Sequence, residues 1–159
     1  MTVICNSSPL IAFYSIDRID IIRQLFDTVI IPEAVYEEVF LKMNKSSTSP
    51  DFIKVEKAND RNLVKLLELQ IDHGESEVIS LAVEKGIQKV ILDDKQARQT
   101  AEGMGLKVIG VVGILMLAKE KKIIAEIKPL ILEMMEKINF RLDRNLFNKI
   151  LNTVNEAPV

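Results

Sequence analysis

Five acidic or amide residues occur where the sequence would place hard oxygen ligands for a metal ion: Asn6, Glu38, Glu75, Asp93 and Asp94. Asn6 and the two aspartates follow short β-branched runs, whereas both glutamates belong to segments with helical periodicity. Oxygen ligands without accompanying Cys or His suit Mg²⁺ or Mn²⁺ rather than zinc. Such an ion activates water and stabilises the transition state of phosphodiester cleavage. These residue types therefore favour metal-dependent nuclease chemistry.

Helical geometry distinguishes Glu38 from its neighbour, because residues three or four apart share one face of an α-helix. Glu38 follows Val35 of the apolar stripe by three residues, so it is predicted to border the buried side, whereas Glu37 points away. An inward carboxylate costs several kcal/mol unless it is paired or binds a cation. Glu38 is therefore a candidate metal ligand.

The same geometry turns Glu75 inward, because it precedes Val78 of the next apolar stripe by three residues. Glu77 instead aligns with Glu84 and is predicted to lie on the exposed face. The periodicity therefore favours Glu75 over Glu77 as the functional acid of this helix.

Each candidate also has a purely structural interpretation. Glu75 near a helix N-terminus is stabilised by the helix dipole without any metal. Asp93 or Asp94 fits an ordinary N-cap of the helix that follows, and Glu38 fits a plain salt bridge. His73, the only histidine, precedes Gly74 in a predicted loop and is interpreted as a surface residue.

The elements that must position these residues alternate between strands and helices, which is typical of a parallel sheet with crossover helices. The strand-like runs are Thr2–Cys5, Thr28–Ile31, Lys89–Leu92 and Lys107–Val111, with a further short run at Ile53–Glu56. Ligands of such sheets bind beyond the carboxyl ends of the strands. The sequence predicts a three-layer α/β/α sandwich with a central, mainly parallel sheet of four or five strands.

Helical periodicity covers the segments between the strands and most of the C-terminal part. The predicted helices are 9–14 with 17–26, 32–41, 60–69, 75–85, 95–104, 112–118, 127–138 and 146–154. Pro32 fits a first helical turn, Gly86 and Gly105 fit helix ends, and Asn44–Asp51 is predicted to be a surface loop. We expect a single domain over 1–159, with a core at 2–118 and a helical extension at 119–155.

Composition narrows the function classes. At 159 residues with 48% apolar content, the chain can bury one sizeable core. A lone Cys5 favours a reducing cytoplasm, and the start MTVICNSSPLIAF resembles neither a signal peptide nor a membrane span. The net charge of −2 argues against broad adhesion to nucleic acid, although residues 119–150 carry 8 Lys/Arg against 5 Asp/Glu.

Four motifs, NSSPLIAF, IPEAVYEEV, GESEVISLA and VILDDKQAR, occur in this order and make the chain resemble PIN-domain proteins, especially the prokaryotic PIN-like subgroup with SPLIAL and GExEAIxLA segments. The resemblance covers about 2–118. It implies a metal-dependent ribonuclease, often the toxin of a toxin–antitoxin pair and often a homodimer. The expected partners are RNA, a small antitoxin protein and a second copy of the chain.

Carried over by position, the resemblance implies catalytic roles for Glu38, Glu75 and Asp94, and metal binding by these three with Asn6 and Asp93. The family's hydroxyl after the first acid falls on Ser7 or Ser8, which implies substrate binding, although these serines also fit caps of the first helix.

Asn6 departs from the family, which has an aspartate there. The amide oxygen can ligate a metal but carries no charge. The alternative function is therefore a catalytically weak or inactive module that binds RNA or an antitoxin. A nucleotide-binding or receiver-like protein fits less well, because no Gly-rich phosphate loop is present.

Overall fold

The computed structural model describes residues 1–43 and 49–159. In this part of the chain, five strands form one sheet in the order β3-β2-β1-β4-β5, and all their pairings are parallel. The strands are β1 (Thr2–Cys5), β2 (Thr28–Pro32), β3 (Ile53–Glu56), β4 (Lys89–Ile91) and β5 (Lys107–Ile109). The predicted α/β fold with a central parallel sheet is confirmed, and its optional fifth strand is present.

Helices connect the strands and flank the sheet. They are α1 (Ser7–Ser15), α2 (Ile19–Leu25), α3 (Glu33–Tyr36) with its π-helical continuation Glu37–Met43, α4 (Arg61–Leu67), α5 (His73–Lys85), α6 (Lys95–Gly103), α7 (Val111–Glu120), α8 (Lys128–Ile138) and α9 (Arg144–Thr153). Among the described residues, no helix has both the length and the apolar character needed to cross a bilayer. The predicted loop Asn44–Asp51 falls largely outside the described residues.

The core lies on both faces of β1, the central strand. Val3, Ile4 and Cys5 are fully buried, as expected where helices cover a parallel sheet on both sides. The C-terminal helices contribute to the same core, because Phe147 and Leu151 of α9 are buried within it. This packing brings the C-terminal segment close to β5 and α7.

Helix ends are set by local sequence signals. Aspartate side chains cap three of the helices near the sheet: Asp60 begins α4, Asp72 begins α5 and Asp94 begins α6. Gly86 ends α5 with φ of +67°, a left-handed conformation that favours glycine. These caps fix where the polar residues at the sheet edge lie.

Candidate functional site at the carboxyl edge of the sheet

The carboxyl ends of β1 and β4 are neighbours, which places Asn6 beside the segment that contains Asp93 and Asp94. Cys5 pairs with Ile91, and the Asn6 backbone N–H donates to the Ile91 carbonyl at 3.0 Å. Residues far apart in the chain thereby meet at one edge, as the parallel pairing of β1 with β4 dictates.

The side chain of Asn6 is buried, and its Oδ1 accepts no hydrogen bond from the described residues. The N-terminus of α5 covers it, since a Cβ added to Gly74 would lie 3.5 Å from that oxygen. A buried acceptor without a partner costs about 1–3 kcal/mol. The amide oxygen is therefore available to a donor or a cation at this edge.

Glu75 lies in the first turn of α5 and faces inward, with 7% of its surface exposed, as the sequence predicted. It also forms a capping box with Asp72. The Asp72 Oδ1 accepts from the Glu75 backbone N–H at 2.8 Å, and Glu75 Oε2 accepts from the Asp72 N–H at 3.2 Å. The inward-facing and helix-capping interpretations of Glu75 therefore both hold.

Burial, together with the negative charges of Asp72 and Asp94, raises the pKa of Glu75 to about 7, against a lowering by the backbone hydrogen bond from Asp72. The Asp94 carboxylate is thus near enough to act on Glu75. Glu75 exchanges its proton near neutral pH, which is the behaviour of a group suited to acid–base work or to release of a proton on cation binding.

Asp93 and Asp94 have different surroundings. Asp94 is exposed, and its Oδ1 accepts from the Ala97 N–H at 2.9 Å, so the predicted N-cap is confirmed for this residue. Asp93 accepts from the Val111 N–H at 3.0 Å and thereby ties β4 to α7. Burial raises the pKa of Asp93, whereas the Val111 hydrogen bond and the charge of Arg98 lower it.

The two serines after Asn6 differ in their exposure. Ser7 is buried at 5% exposure, whereas Ser8 is exposed and lines the same cavity as Asp93 and Asp94. Neither serine caps α1, because Asn6 occupies the N-cap position, without a side-chain capping bond. Ser8 is thus the serine that reaches the cavity beside the aspartates.

The exposure of Glu38 differs from the prediction. It is exposed, so the prediction that it borders the buried side is wrong, although Val35 and Val39 are buried as expected. The reason is the π-helix Glu37–Met43, in which hydrogen bonds run from residue i to i+5 and the facing angles of an α-helix no longer apply. Its proposed role as a catalytic residue and metal ligand stays a prediction.

The exposure of Glu77 also differs from the prediction. It was predicted to be exposed, yet its side chain is 6% exposed and lies 3.1 Å from His73 Nε2 and 3.5 Å from Arg61. His73 belongs to α5 rather than to a loop, and its Nδ1 lies 2.9 Å from Glu68. The spacing of His73 and Glu77, four residues apart, was the available signal for this pair.

The donor types at this edge, an amide oxygen and carboxylates, are those that suit a hard cation. Within 1–43 and 49–159, no group of three or more His, Cys, Asp or Glu side chains is arranged to hold a metal ion. Asn6, Glu75 and Asp94 do gather at one edge, and they supply an unpartnered amide oxygen and carboxylates. Mg²⁺ commonly binds one or two carboxylates and keeps several waters, so these residues fit such an ion without forming a closed cage.

Comparison with known proteins defines the class. The parallel sheet with acids at its carboxyl edge is the arrangement expected from the four motifs. A family model described as DUF3368: PIN domain matches residues 2–156, and the chain belongs to this PIN domain family. The predicted resemblance is confirmed, and the match includes all of the C-terminal extension, 119–155. No match is found among curated proteins or among solved structures.

Proposed function

We propose that this protein is a Mg²⁺- or Mn²⁺-dependent endoribonuclease. Family membership supports this function, since PIN domains are typically nucleases. The observation that carries it is the buried Glu75 carboxyl, which lies at the same sheet edge as the unpartnered Asn6 oxygen and within electrostatic reach of Asp94. An ionised buried acid and a buried acceptor without a donor are both unfavourable, and a bound cation would relieve both.

In the proposed mechanism, Asn6, Glu75 and Asp94 would hold the ion, with Asp93 beside them and Glu38 as a further ligand. When bound, the ion would supply Lewis-acid activation of water and offset charge at the phosphate. Glu75 holds or releases a proton near pH 7 at its carboxyl oxygens. Ser8 offers a hydroxyl to the substrate from the exposed side, and buried Ser7 supports the turn into α1.

The test uses a labelled single-stranded RNA with Mn²⁺ and the variants Glu75→Gln, Asp94→Asn and Glu38→Gln. Gln and Asn keep an oxygen for the capping hydrogen bonds, so these changes remove charge with little loss of helix capping. We expect the first two variants to lose about 100-fold in rate, equivalent to ~2.7 kcal/mol.

The matched control is Glu102→Gln, which removes an exposed carboxylate from α6 far from its capped N-terminus. It is expected to cleave like the wild type. Equal cleavage by wild type and all variants would identify a contaminating nuclease and end the proposal. Loss of activity in Glu38→Gln as well would support its role from an exposed position.

A second candidate function is a non-catalytic module that binds RNA or a small antitoxin protein. Asn6 favours it, because a neutral amide replaces the family's aspartate and attracts a divalent ion less strongly. Calorimetric titration with Mn²⁺ separates the two functions. Saturable heat that disappears in Glu75→Gln supports the nuclease, and the absence of heat supports the binding module.

For the cellular role, we propose the toxin of a toxin–antitoxin pair that acts as a homodimer. Family membership supports this role only by analogy. Growth arrest on induction of the wild type, relieved in Asp94→Asn, is the expected result. Light scattering of the purified protein tests the dimer, and a mass of one chain would contradict it.

A further inference from the structure

A groove beside the proposed nuclease site is built from three separate parts of the chain. Asp94 and Arg98 line it from the start of α6, Gly113 from α7, and Phe140, Arg141 and Leu146 from the C-terminal segment. We call this the C-terminal groove. It has a volume of about 920 Å³, and Ser8 and Asp93 also line it, so it is continuous with the acidic edge.

Arg98 and Arg141 differ in whether a carboxylate lies close to their guanidinium group. The charge of Arg98 acts on neighbouring Asp93, and both side chains approach Gly110, where an added Cβ would lie 2.8 Å from Asp93 Oδ1 and 3.4 Å from Arg98 Nη1. Arg141 is exposed, and no carboxylate of the described residues pairs with it. The groove therefore offers one guanidinium for an anionic ligand.

The C-terminal segment lines the groove with apolar side chains as well as with Arg141. Phe140 is half-buried and packs against the core, while Leu146 leaves 48% of its surface exposed in the groove. An aromatic ring next to an unpaired guanidinium is suited to a ligand with a flat ring and a phosphate. Unpaired bases offer such rings, whereas bases within a duplex are already stacked.

We propose that the C-terminal groove is a nucleotide subsite for single-stranded RNA, in which Phe140 stacks on a base and Arg141 binds a phosphate next to the cleavage site. This inference rests on the proposed function, and it adds the groove that takes the strand and two positioning residues. Asp93, which accepts from the Val111 N–H, lies at the junction of the groove and the acidic edge, with Arg98 beside it. An RNA strand that contacts both the C-terminal groove and the acidic edge is held in one register.

The binding test needs no catalysis. A fluorescein-labelled single strand of about 12 nucleotides is titrated without divalent metal, and anisotropy is measured over a range of salt concentrations. Arg141→Ala is expected to weaken binding about 3- to 10-fold and to reduce the salt slope by about 0.7, the value for one phosphate on a single strand. Phe140→Leu, which keeps apolar volume but removes the ring, is expected to weaken binding on the order of tenfold.

Leu146→Glu places a negative charge in the groove and is also expected to weaken binding. Two matched controls lie elsewhere on the surface: Arg23→Ala on α2 removes an exposed cation, and Leu132→Glu on α8 adds the same charge at a leucine that is 43% exposed. Both controls are expected to bind like the wild type. Thermal unfolding of every variant establishes that a weakened variant is folded.

The outcomes separate this inference from the nuclease proposal. Unchanged affinity in folded Arg141→Ala and Leu146→Glu overturns the subsite even if the wild type cleaves RNA with Mn²⁺. Groove-dependent binding without any cleavage supports the subsite and contradicts the nuclease. Equal binding of a duplex and a single strand overturns the preference for unpaired RNA.

Discussion

The buried carboxylate of Glu77 lies 3.1 Å from Nε2 of His73, one turn earlier in α5. Arg61 of α4 approaches the other carboxylate oxygen at 3.5 Å, so the acid has cationic or hydrogen-bonding partners from two helices. This cluster joins α4 to the first turn of α5, where Glu75 is located. The packing of the proposed metal ligand therefore depends on a neighbouring acid that takes no part in the proposed chemistry.

Loss of these partners should destabilise the fold. Because Arg61→Ala leaves the Glu77 carboxylate buried with less compensation, we expect the free energy of unfolding to fall by about 1–3 kcal/mol. The same substitution in a Glu77→Gln background should cost much less, since the buried charge is gone. Urea denaturation of the four proteins in this cycle measures the coupling, and strictly additive effects would contradict it.

The pH dependence of stability should reveal Glu75. Its folded pKa of about 7 lies above the ordinary value of 4.5, so the folded state keeps a proton that the unfolded state releases. This contribution to stability is fully present below about pH 4.5 and is lost as pH rises through about 7. Chemical denaturation from pH 4.5 to 8 should therefore show a decrease that is smaller in Glu75→Gln. Identical profiles would contradict burial of this acid.

Restoring an acid at position 6 should strengthen metal binding. Asn6→Asp adds a negative charge near Glu75 and the aspartates, so without metal we expect a lower melting temperature. With Mn²⁺ the same charge attracts the ion, and affinity should rise by about tenfold or more, equivalent to ~1.4 kcal/mol. Calorimetry and melting curves with and without Mn²⁺ test both effects. Asn6→Ser, which removes the amide without adding charge, is the control.

The C-terminal end is fixed by Glu156, whose side chain is 6% exposed. It accepts hydrogen bonds from the Ile127 and Lys128 backbone N–H groups at 2.8 and 2.9 Å and pairs with Lys119 at 2.9 Å. Glu156→Ala leaves the Ile127 and Lys128 backbone N–H groups without this acceptor, whereas Lys119 keeps its bond to the Val154 carbonyl, and we expect a loss of about 1–3 kcal/mol. Denaturation measures the loss, and faster amide exchange in the first turn of α8 should accompany it.

The pKa of Glu156 predicts how the effect of Glu156→Ala on stability depends on pH. Burial raises it, but the hydrogen bonds from Ile127, Lys119 and Lys128 outweigh burial and hold the pKa below the ordinary 4.5. Its stabilisation is therefore present above about pH 4.5 and decreases as pH falls through the folded pKa. The difference in unfolding free energy between wild type and Glu156→Ala should shrink in acid. A constant difference would contradict a charged hydrogen-bonded role.

Local signals predicted most of the fold. The run Thr2–Cys5 forms β1 at the predicted bounds, because a continuous β-branched segment suits a strand covered on both faces. Glu75 also faces inward as predicted, since α5 is a regular α-helix to which the spacing rule applies. The capping box of Asp72 and Glu75 has a sequence signature of its own and was open to prediction.

The sequence by itself determined the order of strands and helices, the parallel sheet and the meeting of Asn6 with Asp93 and Asp94 at one edge, because each follows from short-range pattern and strand pairing. Only the tertiary structure decided that Glu38 is exposed, that Glu77 is buried between His73 and Arg61, and that the C-terminal groove lies beside the acids. The hydrogen bonds of a π-helix change which of its side chains face the core. Burial of a charged side chain depends on partners from other helices. Contacts between residues far apart in sequence leave no periodic signal in either segment.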